Sequence, residues 1–211
     1  MSQGFLQGGT AMIGFLVSIK RNHPVIWEFV ERINGVLFRL LYGNVSAKAE
    51  AVLEGHSVAG CGFALVKEED LSPLENFLQA QTPETLKWFN PHAFDAKTLR
   101  KLYNNPAFLM MKVFNEDSGR IAGYFFLRCF FIGQAFAGLI VDPQYQNRGI
   151  GSRIWQLQSE ICAICKLRMR ATISSENKPS IASCQNGTAA IELQQLDGGY
   201  LAMECKINNQ Q

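Results

Sequence analysis

The stretch that decides the fold runs from residue 135 to residue 165 and reads AFAGLIVDPQYQNRGIGSRIWQLQSEICAIC. Its first part, Phe136 to Val141, is a short apolar run, which is typical of a buried strand. Asp142-Pro143 ends that strand, because proline cannot donate a hydrogen bond within a central strand. From Ile154 to Ile164, apolar residues recur at helical spacing. The stretch therefore predicts a strand, a glycine-containing loop and a helix, in that order.

The loop, Gln146-Asn147-Arg148-Gly149-Ile150-Gly151, has the features of an anion site. The first turn of a helix has N–H groups without intrahelical partners, and it carries the positive end of the helix dipole. Gly149 and Gly151 let an anion approach the backbone without a Cβ in the way, and Arg148 adds a positive charge. The loop is either a cradle for a phosphate or pyrophosphate or an ordinary strand-to-helix turn; two glycines alone do not decide between them.

Composition excludes several classes of protein. The chain has 211 residues, which is enough for one domain with a small appendage. Its hydrophobic residues, at 47%, are ample for a packed core. The net charge of +2, without a stripe of Lys and Arg, argues against a nucleic-acid partner.

The N-terminus lacks the basic segment of a secretory signal, and the apolar run 11–19 is shorter than the roughly 20 residues that span a bilayer. We therefore expect a cytoplasmic protein.

The cysteines are predicted to be structural thiols. They are Cys61, Cys129, Cys162, Cys165, Cys184 and Cys205. Several lie in apolar runs, where cysteine behaves as a small hydrophobic residue. Cys162 and Cys165 form a C-x-x-C pair, but it lies inside the predicted helix and lacks the second pair of a zinc site. We predict no metal site.

Residues 1–60 are predicted to be an N-terminal extension that contains an amphipathic helix at about 24–42. Pro24 suits the first turn of a helix, and Gly43-Asn44 is a suitable stop. The apolar face of this helix is wide and must be covered. Packing on its own domain is the favoured interpretation. A second copy of the chain in a homodimer and a membrane surface are the alternatives.

Residues 61–207 are predicted to form one domain, followed by a polar tail at 208–211. We expect strands at 61–66, 108–114, 121–131, 135–141, 168–173, 190–194 and 200–207. We expect helices at 72–79, from 82, at 95–103, after the glycine loop and at 174–185. Ser72 and Asp95 are the predicted caps of the first and the third, and Thr82-Pro83-Glu84 is the predicted start of the second. This order of elements predicts an α+β fold.

The segment V-D-P-Q-Y-Q-N-R-G-I-G-S, residues 141–152, resembles the acyl-CoA pyrophosphate loop of the GCN5-related N-acetyltransferase (GNAT) superfamily. The family pattern is Q/R-x-x-G-x-G/A, and Gln146, Gly149 and Gly151 match its three fixed positions. The order of elements from residue 61 is also that of the family. The resemblance implies a mixed, mostly antiparallel sheet with helices on both faces. It also implies a parallel pair of strands that splay apart to admit the pantetheine arm.

The resemblance further implies an acyl-CoA-dependent N-acyltransferase, which uses most simply acetyl-CoA and acts by direct attack of an amine on the thioester. The residues implied to bind the acyl-CoA are Leu139, Ile140, Val141, Gln146, Asn147, Arg148, Gly149, Ile150, Gly151, Ser152, Asn177 and Ser180. A non-catalytic acyl-CoA-binding module is one alternative. A peripheral-membrane acyltransferase that acts on a lipid-linked substrate is another.

The last predicted helix supplies a candidate proton donor. The family often has N-x-x-A-x-x-x-Y there, with the Asn facing the CoA arm and the Tyr protonating the departing thiolate. Asn177 matches, Ser180 replaces the Ala, and Cys184 stands where the Tyr is expected. A thiol has a pKa near 8.5, against about 10 for tyrosine. We hypothesise that Cys184 is the proton donor; the alternative is a buried helix cysteine.

The proton acceptor is harder to find, because the strand 135–141 contains no carboxylate. The pKa of a lysine side chain is about 10.4, so its amine would need help to lose a proton. This favours a weakly basic small-molecule amine, such as an amino sugar or a sugar nucleotide. The loop F-x-P-H-x-F, residues 89–94, also resembles a segment of bacterial GNAT proteins from surface-polysaccharide gene clusters. His92 is therefore a candidate to accept a proton or bind a sugar hydroxyl; the alternative is a loop histidine bonded to the backbone.

Overall fold

The computed structural model describes residues 24–208, and their side chains from residue 28 onward. The predicted apolar run 11–19 and the end of the polar tail lie outside the described residues. The helices are α1 (Pro24–Tyr42), α2 (Val45–Leu53), α3 (Leu71–Gln79), α4 (Pro83–Leu86), α5 (Ala96–Tyr103), α6 (Ile150–Ile164) and α7 (Lys178–Gly187). The strands are β1 (Ser57–Val58), β2 (Cys61–Leu65), β3 (Phe108–Asn115), β4 (Ile121–Phe130), β5 (Gln134–Val141), β6 (Arg168–Ser174), β7 (Ala189–Leu196) and β8 (Tyr200–Lys206).

The strands form one sheet in the order β1-β2-β3-β4-β5-β6-β8-β7. Neighbouring strands are antiparallel except β5 and β6, which are parallel. Parallel neighbours need a crossover connection, and α6 provides it. The arrangement confirms the predicted α+β fold with a mixed, mostly antiparallel sheet.

Helices cover both faces of the sheet. Successive side chains of a strand point to opposite faces, so β4 contributes to two separate cores. Tyr124 and Phe126 pack with α3 and α5 on one face. Phe125 and Leu127 pack with α2, α6 and α7 on the other. The result is a sheet between two helical layers, as the resemblance implied.

The parallel pair separates soon after it begins. Within the described chain, β5 and β6 pair at three positions, the last of which joins Phe136 to Arg170. Beyond it, β5 continues beside β4 as far as Val141. Just past the separation, Nε2 of the buried Gln158 in α6 donates to the carbonyl oxygen of Gly138 at 3.4 Å. An open wedge therefore lies between the diverging ends of β5 and β6, and this confirms the predicted splayed pair.

Helix α1 has the predicted bounds, but the domain covers only part of its apolar face. Gly35 and Phe38 are buried, and Nδ2 of Asn34 donates to the carbonyl oxygen of Cys129 in β4 at 2.9 Å. The apolar residues that remain exposed on α1 are Phe29, Ile33, Val36, Leu40 and Leu41. One side of the helix therefore packs on the sheet, and the other side faces outward.

Residues 45–58 form two elements that we did not predict, α2 and β1. Asn44, predicted as the stop of α1, is also the N-cap of α2: its Oδ1 accepts a hydrogen bond from the Ala47 N–H at 3.1 Å. The buried residues of α2, led by Val45 and Ala49, belong to the same core as α6. Residues 45–58 therefore pack with the sheet, although they lie within the predicted extension 1–60. The domain boundary itself stays a prediction.

Helix α7 begins later than we predicted. Ser174 remains in β6, where it pairs with Tyr200 of β8. Asn177 then caps the helix, because its Oδ1 accepts from the Ser180 N–H at 3.2 Å. The prediction of a helix from residue 174 was wrong, because Ser174 pairs with β8 and residues 175 and 176 form a turn before the helix begins.

Of the early helices, the second and third begin where the sequence predicted, and the first begins one residue early. Thr82 and Asp95 each accept a hydrogen bond from the backbone N–H three residues on, at 3.3 Å and 3.0 Å. Helix α3 instead begins at Leu71, one residue before the predicted cap Ser72. A 3₁₀ turn over Glu68–Asp70 leads directly into α3 and makes a separate cap at Ser72 unnecessary.

Candidate active site

A groove of about 780 Å³ opens where β5 and β6 diverge. Its walls are the end of β5, the loop after it, the start of α6, one side of α7, the end of β6, and residues in and just after α4. We call residues 143–152 the loop wall. The groove therefore coincides with the wedge that the sheet topology creates.

The loop wall is held in shape by its own hydrogen bonds. Oδ1 of Asp142 accepts from the Gln144 N–H at 2.9 Å. Nε2 of Gln146 donates to the carbonyl oxygen of Val141 at 2.9 Å, and this bond ties the loop back to the end of β5. Asn147 and Gly149 have positive φ, 59° and 82°. Asn and Gly tolerate this conformation best, so the residue types fit the shape of the loop.

The first turn of α6 faces the groove. Gly149 stands at the N-cap position and has no side chain with which to cap the helix. Ile150, Gly151 and Ser152 follow it and line the groove. Backbone N–H groups in the first turn of a helix have no acceptor within the helix, and they can therefore donate to a bound anion. The loop wall therefore fits a phosphate or diphosphate group.

Close packing of α7 against α6 fixes the width of this region. A Cβ added at Gly187 would collide with the carbonyl oxygen of Ser152 and lie 2.8 Å from Cβ of Trp155. Nε1 of Trp155 donates to Oγ of Ser183 at 3.2 Å. Only glycine at position 187 allows the two helices to approach so closely.

The structure brings nearly all of the predicted acyl-CoA-binding residues together. Within residues 24–208, those that line the groove are Leu139, Ile140, Val141, Gln146, Asn147, Gly149, Ile150, Gly151, Ser152, Asn177 and Ser180. Arg148 is the exception. Its guanidinium lies 5.6 Å from the ring centroid of Tyr145, and its side chain is exposed.

Cys184, predicted as the proton donor, is not among the described residues that line the groove. It is fully buried on the side of α7 that faces β8. Its Sγ lies 3.5 Å from Sγ of Cys205 and 3.8 Å from Oγ1 of Thr188. The hydrogen bond to Cys184, together with burial, raises the pKa of Cys205. This position matches the buried helix cysteine of the alternative interpretation.

His92 also lies away from the groove lining of the described chain. Its Nδ1 is 2.8 Å from the carbonyl oxygen of Ala93, and its Nε2 is 3.2 Å from Oη of Tyr124. Because a carbonyl oxygen can only accept, Nδ1 carries a proton. Tyr124 is fully buried, and burial raises the pKa of its hydroxyl. His92 therefore satisfies a buried hydroxyl behind Phe89, whose ring does line the groove.

Two groove-lining carboxylates escaped the sequence analysis. Among the described residues that line the groove, the charged ones are Glu84 in α4 and Glu176 after β6. Trp88 lies close by, and we call Glu84, Trp88 and Glu176 the carboxylate wall. They come from segments almost a hundred residues apart, so no local pattern joins them. The signal available was the position of Glu176 beside Asn177, which the family pattern does mark.

A family model described as Acetyltransferase (GNAT) family matches residues 74–187, which is more than half of the chain. The chain belongs to the GNAT family. The match begins in α3 and ends with α7, so it includes the loop wall and the carboxylate wall of this GNAT protein.

Solved GNAT structures share the fold at low sequence identity. The GNAT domain of S. lividans PAT has a TM-score of 0.59 and 12% identity, over 68% of this chain and 89% of that chain. A ribosomal-protein-S5-alanine acetyltransferase from Vibrio fischeri has a TM-score of 0.57 and 16% identity, over 74% and 97%. A spermidine N-acetyltransferase from Vibrio cholerae has a TM-score of 0.54 and 15% identity, over 70% and 94%. No curated protein matches the sequence.

Three further findings concern the described part of this GNAT chain. Its His, Cys, Asp and Glu side chains form no group of three or more that could hold a metal ion. None of the helices within residues 24–208 has the length and apolarity needed to cross a membrane. The cysteines are buried free thiols.

Proposed function

We propose that this GNAT protein is an acyl-CoA-dependent N-acyltransferase, using most simply acetyl-CoA, that acts on a small-molecule amine. One observation carries the proposal: a single groove combines an open strand edge with a glycine loop at a helix start. The solved spermidine N-acetyltransferase from Vibrio cholerae contains CoA and spermine, so its fold accommodates such a donor and an amine together.

The loop wall is the proposed site for the diphosphate of the coenzyme. Backbone N–H groups of residues 146–152 would donate to its oxygens, and the dipole of α6 would favour its negative charge. Gly149 and Gly151 allow the close approach. Arg148, at the exposed rim, would add a long-range attraction that salt weakens.

The end of β5 is the proposed site for the pantetheine arm and the acyl group. Past Phe136, β5 has backbone N–H and C=O groups that β6 does not pair. An extended amide chain can pair with such an edge. Residues Leu139 to Val141 would hold the acyl carbonyl, and a backbone N–H there would stabilise the negative charge that develops on its oxygen.

The acceptor amine must be neutral when it attacks. A C–N bond forms, the C–S bond breaks, the amine loses a proton, and the departing thiolate gains one. Glu84 lines the groove and can take the proton, directly or through a water molecule. The case for a weakly basic amine rested on the absence of a carboxylate in β5, and Glu84 supplies the carboxylate that β5 lacks. An amino sugar is one candidate acceptor.

The test combines calorimetry with a turnover assay. Titration with CoA should show saturable binding, and acetyl-CoA should release free thiol in the presence of at least one amine from a panel of amino sugars, diamines and amino acids. Binding without thiol release from any amine would indicate the non-catalytic binding module instead. Failure to bind CoA would overturn the proposal at its first step.

A second candidate function is favoured by the exposed face of α1. Val36 and Leu40 are 55% and 76% exposed, and an exposed apolar helix face suits a membrane interface. The proposal is a peripheral-membrane acyltransferase that acts on a lipid-linked substrate. The protein should sediment with liposomes, and the double variant Val36→Glu/Leu40→Glu should not, whereas Leu193→Glu on β7 should behave as the wild type. A concentration-dependent dimer that ignores liposomes would show that a second copy covers this face.

A further inference from the structure

The carboxylate wall supplies acidic side chains to the groove lining. Glu84 and Glu176 are the charged residues among the described residues that line it, although the whole chain carries a net charge of +2. An anionic acceptor, such as a sugar nucleotide, would face repulsion there in addition to competition with the coenzyme. A cationic acceptor would be attracted.

A resident ammonium group, that of Lys87, already lies against two members of this wall, although Lys87 is not among the described residues that line the groove. Nζ of Lys87 lies 4.2 Å from the ring centroid of Trp88 and 3.8 Å from Oε2 of Glu176. A π face and a carboxylate are the two groups that best hold an ammonium. Trp88 and Glu176 therefore have the chemistry of an ammonium site, and the position of Lys87 shows that an ammonium group fits against them.

The resident ammonium is also easy to replace. The side chains of Lys87 and Glu176 are 60% and 73% exposed. Exposed ion pairs contribute little free energy, because water competes with both partners. Lys87 can thus swing into solvent at low cost when another cation arrives.

We propose that the acceptor is a primary amine that carries a second positive charge, and that Glu176 and the indole of Trp88 bind that second charge in place of Lys87. The inference rests on the proposed N-acyltransferase function and specifies its acceptor class. Two kinds of molecule have this chemistry: linear diamines or polyamines, and amino sugars with more than one amino group.

The experiment compares matched acceptors in the wild-type enzyme. One pair is a five-carbon diamine and the amino alcohol of the same length; the other is a diamino sugar and its monoamino analogue. The second charge should raise kcat/KM about tenfold within at least one pair, as an exposed ion pair and a cation–π contact would supply together. Added salt should reduce this preference, because the contacts are exposed. The pair that shows the preference identifies the source of the amine.

Variants then assign the preference to the wall. Glu176→Gln and Trp88→Leu should each raise the KM for the doubly charged acceptor about threefold and leave the KM for acetyl-CoA unchanged. The matched control Glu192→Gln, on exposed β7, should change neither. Lys87→Met should lower the KM for the doubly charged acceptor, and the control Lys97→Met should not.

The outcomes separate this inference from the proposed function. Equal kcat/KM within both pairs, in an enzyme that acetylates the single amines, would overturn the inference and leave the N-acyltransferase intact. A KM that rises in Lys87→Met as it does in Glu176→Gln would also overturn it, because Lys87 would then be supporting the site instead of occupying it. Failure to bind CoA in calorimetry would remove the function itself.

Discussion

The two walls of the groove are built in different ways. The loop wall is one continuous segment, residues 143–152, and it offers mainly backbone N–H groups. The carboxylate wall consists of side chains from α4 and from the segment after β6, which meet only in the folded protein. The loop wall can therefore be recognised from ten consecutive letters, whereas the carboxylate wall requires the tertiary structure.

Because of this difference, the two walls are suited to recognise different kinds of ligand. Backbone amides at a helix start bind any group with the right charge and shape, so the loop wall suits a ligand shared across a family. Side chains that project from separate elements can change independently, so the carboxylate wall suits a feature particular to this chain. We expect substitutions in the loop wall to affect CoA, and substitutions in the carboxylate wall to affect the acceptor.

The largest effect should come from Gly187, which sets the approach of α7 to α6 beneath the loop wall. Gly187→Val places side-chain atoms against Ser152 and Trp155 and should cost about 3 kcal/mol of unfolding free energy. Urea denaturation measures this loss. The exposed neighbour Gln185→Ala should change stability by less than about 0.5 kcal/mol; an equal loss in both variants would show that the close approach is not the cause.

The loop wall can be tested with an added negative charge that should stabilise the folded protein but weaken CoA binding. Ser152→Asp places a carboxylate in the first turn of α6, where the helix dipole stabilises it. The same carboxylate should weaken CoA binding about a hundredfold, by repulsion of the diphosphate. Ser46→Asp makes the matching change in the first turn of α2 and should leave CoA affinity unaltered. Calorimetry and thermal unfolding of the two variants would contradict the proposed diphosphate site if CoA bound both equally.

His92 does not line the groove, so its substitution should change the stability of the protein and not the binding of CoA. His92→Ala would leave the buried Tyr124 hydroxyl without the Nε2 partner and should cost about 2 kcal/mol of unfolding free energy. The affinity for CoA should stay the same. The double variant His92→Ala/Tyr124→Phe should lose less than the sum of the single variants, as residues in contact do. A loss of turnover without a loss of stability would instead place His92 in the reaction.

The smallest effect concerns Cys184. Cys184→Ala removes a buried sulfur from the core beside Cys205 and should cost about 1 kcal/mol. Because the thiol faces β8 and not the groove, kcat should be unchanged across a pH series. Thermal unfolding and steady-state kinetics measure the two quantities. A lower kcat with an altered pH profile would restore Cys184 as the proton donor.

The sequence predicted the central strand, loop and helix well, because apolar periodicity and a glycine pattern are both local signals. Helix α2 was missed, although Val45, Ala49, Val52 and Leu53 follow helical spacing. Small alanines and polar residues alternate with these four, so the apolar periodicity was a weak signal. Asn44 was interpreted only as the end of α1.

The candidate site was predictable as far as it depends on the backbone. The predicted binding residues between Leu139 and Ser152, apart from Arg148, line the groove together with Asn177 and Ser180. Cys184 was chosen by alignment to a family pattern, which fixes a residue's position along a helix but not its partners. His92 was chosen by the resemblance of its loop, which says equally little about its partners. Cys184 and His92 both found partners within the core. Glu84 and Glu176 were missed because a carboxylate on an exposed segment has no pattern of its own.

The early separation of β5 from β6 leaves the sheet interrupted. A ligand that pairs with the open edge would restore a continuous hydrogen-bonded layer across the protein, so binding and folding would share the same contacts. At a ligand concentration a hundred times its Kd, such linkage adds about 2.7 kcal/mol to the stability of the folded state. The lifetime of this protein in a cell would then follow the supply of its donor, and starvation for that donor would speed its degradation.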